Sequence, residues 1–220
     1  MISHLIYSPN GDLLASGSEN DPVIKIWDIK SGKIIGKLDA HEKPASAIKF
    51  SPDGTKIVSA STQGQLIYWN ILDWTIIDSI TFDGKINDLV FKSETQVILG
   101  FNNGNVKINS TENFSSFELL FTLENSINTL SYKNNILACG TKNGHISIFD
   151  LNKKTEIINQ KIHNGKVRGL QFYNSEKNLI STGGDGFIHF WNSNDLTESK
   201  HIKVSNSALS AFDVNPTKEL

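Results

Sequence analysis

The stretch "STGGDGFIHFWN", Ser181 to Asn192, decides how the rest of the chain is read. An apolar strand, Phe187-Ile188-His189-Phe190-Trp191, begins straight after a Gly-Gly-Asp-Gly knot. A near copy, "SASTQGQLIYWN", runs from Ser59 to Asn70. One such stretch suggests a site; two suggest a repeat, and a repeat governs the whole fold. Three more segments align with it: "LLASGSENDPVIKIWD" (Leu13 to Asp28), "QVILGFNNGNVKINS" (Gln96 to Ser110) and "ILACGTKNGHISIFD" (Ile136 to Asp150). Each has a short apolar run, a turn rich in Gly, Asn or Asp, and an alternating strand. The equivalent end positions are Trp27, Trp69, Asn109, Phe149 and Trp191, spaced 40 to 42 residues apart.

Each unit holds four strand candidates. In the second, Ser46 to Phe50 alternates and stops at Ser51-Pro52-Asp53-Gly54, a hairpin turn. Lys56 to Ser61, Gln65 to Asn70 and Trp74 to Phe82 follow. No segment shows a capped helical period. A four-stranded antiparallel unit repeating every ~40–45 residues is a propeller blade. The spacing therefore predicts one all-β propeller domain over residues 1–220, with repeats at about 1–40, 41–82, 83–123, 124–162 and 163–204 and a partial one at 205–220. That makes five complete blades plus one extra strand, "ALSAFDV", from Ala208 to Val214.

Bulk properties narrow the function. Formal net charge is -2, so nothing pulls the chain toward nucleic acid or anionic membrane. Apolar runs are strand-length, so membrane insertion is not expected. "MISHLIYSPNGD" has no charged n-region and reaches a turn too early for a signal peptide. The single cysteine, Cys139, excludes an internal disulfide framework and argues against a Cys-based zinc site. His4, His145, His189 and His201 are scattered without metal spacing. "GKIIGKL", Gly32 to Leu38, is too short between its glycines for a phosphate loop and lacks Ser or Thr after Lys37. No cofactor or metal is expected, and the compartment is read as cytoplasmic or nuclear.

The motifs "SPDG" and "IWD", together with the His-bearing loops, resemble the WD-repeat β-propeller family. The resemblance covers nearly the whole chain. It is strong in units one, two and five; units three and four are degenerate, with Asn109 and Phe149 where the family has Trp. It implies a buried hydrogen-bonded set in each blade: His before the first strand, Ser or Thr on the second, Asp in the next turn, Trp on the third. In unit five these are His163, Ser181, Asp185 and Trp191, with Gly184 and Gly186 flanking the acid to permit its turn. Unit two keeps His41, Ser59 and Trp69, with Gln63 in the acid's place. Unit one has Ser16, Asp21 and Trp27 and no preceding His. In unit four Cys139 takes the Ser position.

His163, Ser181 and Asp185 are also the residue types of a hydrolase triad. The recurrence of His and Ser in unit two, without its acid, argues for a stabilising motif, and no Gly-x-Ser-x-Gly elbow is present. The resemblance implies a non-catalytic scaffold for protein–protein interaction. Partners would meet a rim built from the approaches to the first strands (Ser46, Asn87, Asn128, Arg168) and the second-to-third-strand turns (Thr62, Asn102, Lys142, Gly184). With Lys85 and Lys166 nearby, that rim suits other proteins or peptide segments, acidic ones in particular. The rival readings are a propeller hydrolase and a chromatin- or RNA-associated module. Rings of seven are usual in the family, so five blades and a strand predict part of a larger ring, completed by further chain or by a partner chain.

Overall fold

A computed structural model describes residues 1–173, 178–195 and 197–209. Within these, every regular element is a β-strand. Blade one is β1 (Ile2–Tyr7), β2 (Leu13–Ser18), β3 (Asp21–Asp28) and β4 (Lys33–Leu38). Blade two is β5 (Ala45–Phe50), β6 (Lys56–Ser61), β7 (Gln65–Asn70) and β8 (Ile76–Thr81). Blade three is β9 (Ile86–Ser93), β10 (Gln96–Phe101), β11 (Asn105–Ser110) and β12 (Phe117–Thr122). Blade four is β13 (Ile127–Lys133), β14 (Ile136–Thr141), β15 (His145–Asp150) and β16 (Thr155–Lys161). Blade five is β17 (Val167–Phe172), β18 (Asn178–Gly183), β19 (Phe187–Asn192) and β20 (Thr197–Lys203). Each blade is a four-stranded antiparallel meander in chain order, and the fold is of the β-propeller type. The extra strand expected at Ala208 to Val214 lies almost wholly outside the described residues.

Local chemistry explains the hairpins. Lys56 N–H donates to Ser51 Oγ at 2.9 Å, and Gly54 N–H closes the turn on Ser51 O at 2.9 Å. Pro52 presets its own φ, and Gly54 takes φ +71, which an L side chain disfavours. Ser8 plays the same part in blade one, its Oγ accepting from Leu13 N–H at 2.9 Å.

Burial runs across each blade rather than along it. In blade two the second and third strands are largely buried, and the fourth strands β8, β16 and β20 are mostly exposed. Packing divides the chain into two units, Met1–Phe101 with Lys107–Leu119, and Asn102–Val106 with Leu120–Leu220. In the first unit β1 lies beside β5 and β5 beside β9; in the second β13 lies beside β17. Leu66, Tyr68, Leu89 and Phe101 form the core between blades two and three, and Ile146, Ile148, Leu170 and Trp191 that between blades four and five. Blade one differs in its first strand. Ile2, Leu5 and Tyr7 are 58–61% exposed, whereas their counterparts Ala45, Ile48 and Phe50 are at most 7% exposed.

Candidate functional site

The polar set of blade five is a closed relay. Trp191 Nε1–H donates to Ser181 Oγ at 2.9 Å, and His163 Nε2 meets the same oxygen at 2.8 Å. His163 Nδ1 faces Asp185 Oδ1 at 3.0 Å. The indole can only donate, so the hydroxyl hydrogen of Ser181 is left for His163 Nε2. The imidazole is then neutral, with its proton on Nδ1 and aimed at the carboxylate. Burial acts the same way, lowering the His163 pKa against the pull of Asp185. Burial would raise the Asp185 carboxyl, but bonds from His163 and from Asn164 N–H (2.9 Å) outweigh it and hold it low.

Blade two builds the same relay with a different end. Trp69 Nε1–H donates to Ser59 Oγ at 2.8 Å, and His41 Nε2 lies 2.6 Å from that oxygen. His41 Nδ1 then meets Gln65 Oε1 at 2.9 Å. The terminal acceptor is therefore Gln65, on the strand, and not Gln63 in the turn, whose side chain is exposed. In blade one Trp27 Nε1–H donates to Ser16 Oγ at 2.8 Å. Asp21 stands apart from that bond. It accepts from Val23 N–H at 3.0 Å and pairs loosely with Lys25 at 3.7 Å. Without a histidine to receive, the acid caps its own strand instead.

The glycines around Asp185 also divide their work differently from the sequence expectation. Gly186 has φ +80, whereas Gly184 lies outside the left-handed region. It is Gly183 whose missing side chain matters: a Cβ there would run into the ring of His163.

Blades three and four replace the relay. Asn109 accepts from Tyr68 Oη–H and donates Nδ2–H to Phe114 O and Ser116 O, each at 2.8 Å. In blade four Cys139 is fully buried, and burial raises its thiol pKa, with Glu156 adding to the effect. Phe121 stacks on Phe149 with centroids 3.6 Å apart. Beside them lies an open cleft of about 340 Å3 lined by Glu124, His145, Ser147, Glu156 and Asn159 among others. Ser147 Oγ is buried there without a hydrogen-bond partner among the described residues.

A second recurring device lies in the first strands. Each pairing of first with second strand breaks register near the start of the first strand, between Ile2 and His4, Ala45 and Ala47, Ile86 and Asp88, Ile127 and Thr129, and Val167 and Gly169, and β9 breaks it a second time between Phe91 and Ser93. The residues skipped near the strand starts are Ser3, Ser46, Asn87, Asn128 and Arg168. A bulge leaves its extra residue unpaired and re-aims the side chain. Four of these residues were expected on the approaches to the strands; they sit inside the strands. Two serve as staples. Ser46 Oγ–H donates to Ile86 O at 2.6 Å, and Asn128 Nδ2–H donates to Val167 O at 2.6 Å, each reaching the next blade. Arg168 is exposed, and Asn87 is half-buried. Thr62, Asn102, Lys142 and Gly184 all lie in turns. Lys142 N–H bonds Ser126 O at 3.0 Å and Gly184 N–H bonds Lys166 O at 2.9 Å, so in each of these blades the turn sits against the approach to the bulge.

The WD-domain G-beta-repeat family model matches residues 1–28, 32–70 and 155–192, which are most of blades one, two and five. WD repeats are thus found in these segments. The chain is 26% identical to WD repeat-containing protein 55 of Arabidopsis thaliana, over 91% of this chain and 58% of that protein. It is 25% identical to the SIR4-interacting protein SIF2 of Saccharomyces cerevisiae, over 99% of this chain and 36% of that protein. The chain thus spans little more than half, or about a third, of these relatives. The β-propeller domain of Cps50 (Swd1) from Myceliophteria thermophila superposes with a TM-score of 0.78 at 21% identity, covering 99% of this chain and 68% of that one. Among the described residues no helix is long and apolar enough to cross a membrane.

The relay and the bulges account for the hydrogen-bonding residues of this chain differently. The relay is sealed: Ser181 is fully buried and His163 is 1% exposed. The bulges and turns leave polar groups at the surface.

Proposed function

We propose that this chain is a non-catalytic scaffold that holds acidic segments of partner proteins at the bulged end of blades four and five. The observation that carries this reading is the exposed Arg168, turned out of its ladder by a bulge that recurs in every blade. Lys142 is exposed in the neighbouring blade's turn, and Asn128 bridges the two blades beneath them. Cationic groups on a polar edge favour carboxylate-bearing partners and raise the rate of encounter. The yeast relative, a SIR4-interacting protein, fits a scaffold.

Catalysis by His163, Ser181 and Asp185 does not fit the geometry. A nucleophile must reach substrate, and Ser181 Oγ is buried and capped by an indole N–H. A net charge of -2 argues against direct binding to nucleic acid, and the single buried thiol suits a cytoplasmic or nuclear setting.

Affinity capture from native cell extract, wild type beside an R168E/K142E double variant, tests the assignment. The double variant should lose partners about 10-fold while its melting temperature stays put. Undiminished capture would move the binding surface elsewhere.

A further inference from the structure

The β19–β20 hairpin joins residues that sequence spacing keeps apart. His189 and His201 are direct cross-strand partners. Glu198, three residues before His201, would face the opposite side of a strictly alternating strand. A register shift opposite Phe190 and Trp191 skips Ser199 and reverses that parity, so Glu198 joins the two histidines. Both Nδ1 atoms then converge on one oxygen: His189 Nδ1 lies 2.7 Å and His201 Nδ1 3.0 Å from Glu198 Oε1. The ligand-capable atoms of the trio all lie within 4.8 Å of one another.

We propose that His189, Glu198 and His201 form a binding site for a divalent transition-metal ion of the zinc class. Two imidazoles and one carboxylate are the donor types that such ions prefer over magnesium or calcium. Zn–N and Zn–O bonds of ~2.0–2.1 Å place tetrahedral ligand atoms a little over ~3 Å apart, so the two His–Glu distances need only a slight opening to admit the ion. Three protein ligands leave a position for solvent or for a donor from a partner.

The surroundings favour the outer trio over its neighbour. His163 and Asp185 also approach His189, but both ring nitrogens of His163 are spent, one on Ser181 and one on Asp185. His189 is held in place, with 14% side-chain exposure and its ring stacked on Trp191, whereas His201 at 58% leaves an entry path. Both lysines of β20 lie over aromatic rings, Lys200 over Phe190 at 5.8 Å and Lys203 over Phe187 at 5.4 Å from the centroids. The matching positions of blade four, Ser147, Glu156 and Asn159, keep the acid and lack both imidazoles. They are an internal control within the same packing unit.

Isothermal titration of the untagged 220-residue chain with zinc chloride tests the site, with magnesium chloride as the control. One zinc per chain is expected at micromolar concentration, and no binding of magnesium. H201A, on an exposed strand, should fold normally and lose zinc affinity by more than the ~10–100-fold that disturbing an outer-shell partner costs. E198Q should weaken it as well, while H145A in blade four should change nothing. Cobalt bound in zinc's place should give a four-coordinate visible spectrum that H201A abolishes. Absence of zinc binding, or unchanged affinity in H201A, would overturn the site.

Discussion

Blades four and five lie in one packing unit and follow one strand plan, yet they fill equivalent positions with opposite chemistry. Where blade five has Ser181 bonded to Trp191, blade four has Cys139 and Phe149 at the same ladder positions, and Phe121 stacks on Phe149. Where blade five has His189 and His201, blade four has Ser147 and Asn159 facing an open cleft. The backbone tolerates both solutions, so the relay is one way of filling a blade and not a condition for forming one. A polar interior is stable only when every member has its partner, and an apolar one needs no partners at all.

Breaking the relay at one point should show this most strongly. S181A leaves the Trp191 indole and His163 Nε2 unsatisfied in the interior. A buried orphan costs roughly 1–3 kcal/mol, so the loss should be about 2–4 kcal/mol in chemical denaturation. Loss of some enzymatic turnover without destabilisation would instead revive the hydrolase reading.

Converting blade five toward blade four sharpens the contrast. The triple variant H163L/S181C/W191F removes donors and acceptors together. Its cost should fall short of the summed single costs by about 1–3 kcal/mol, the coupling expected of contacting residues. Strict additivity would mean that the bonds act independently.

The smallest effect is that of pH. Burial depresses both His163 and His41 below their ordinary value of 6.5. Above that value both folded and unfolded chains hold neutral rings, and the contribution is complete. As pH falls through 6.5, the unfolded chain takes up protons that the folded one resists, so stability declines until the folded-state values are passed. Denaturation midpoints measured across this range should fall in the wild type and less steeply in H163L.

The blades were legible in the sequence because their markers are local: Ser-Pro-Asp-Gly at 51–54, the glycines of the second turns, and Trp27, Trp69 and Trp191 at constant spacing. The relay was legible as residue types but less so as partners. Gln63 aligns with Asp185, yet Gln65 receives the bond, because an amide on the strand reaches His41 where the turn residue points to solvent. Gly183 was passed over for Gly184 because contact with an imaginary side chain depends on His163 folding back from the preceding loop. The bulges were illegible. Nothing in "SAIKF" or "VRGLQF" announces which residue the ladder will skip. The pairing of His189 with His201, and the turning of Glu198 toward them, depend on such a skip in β20 and were missed with it.

Cys139 has a practical consequence. The chain has one thiol, fully buried and held protonated by its surroundings. An alkylating reagent finds no thiolate until the fourth blade opens. The pace of maleimide addition is then a clock for that opening, read at a single atom without any engineered label.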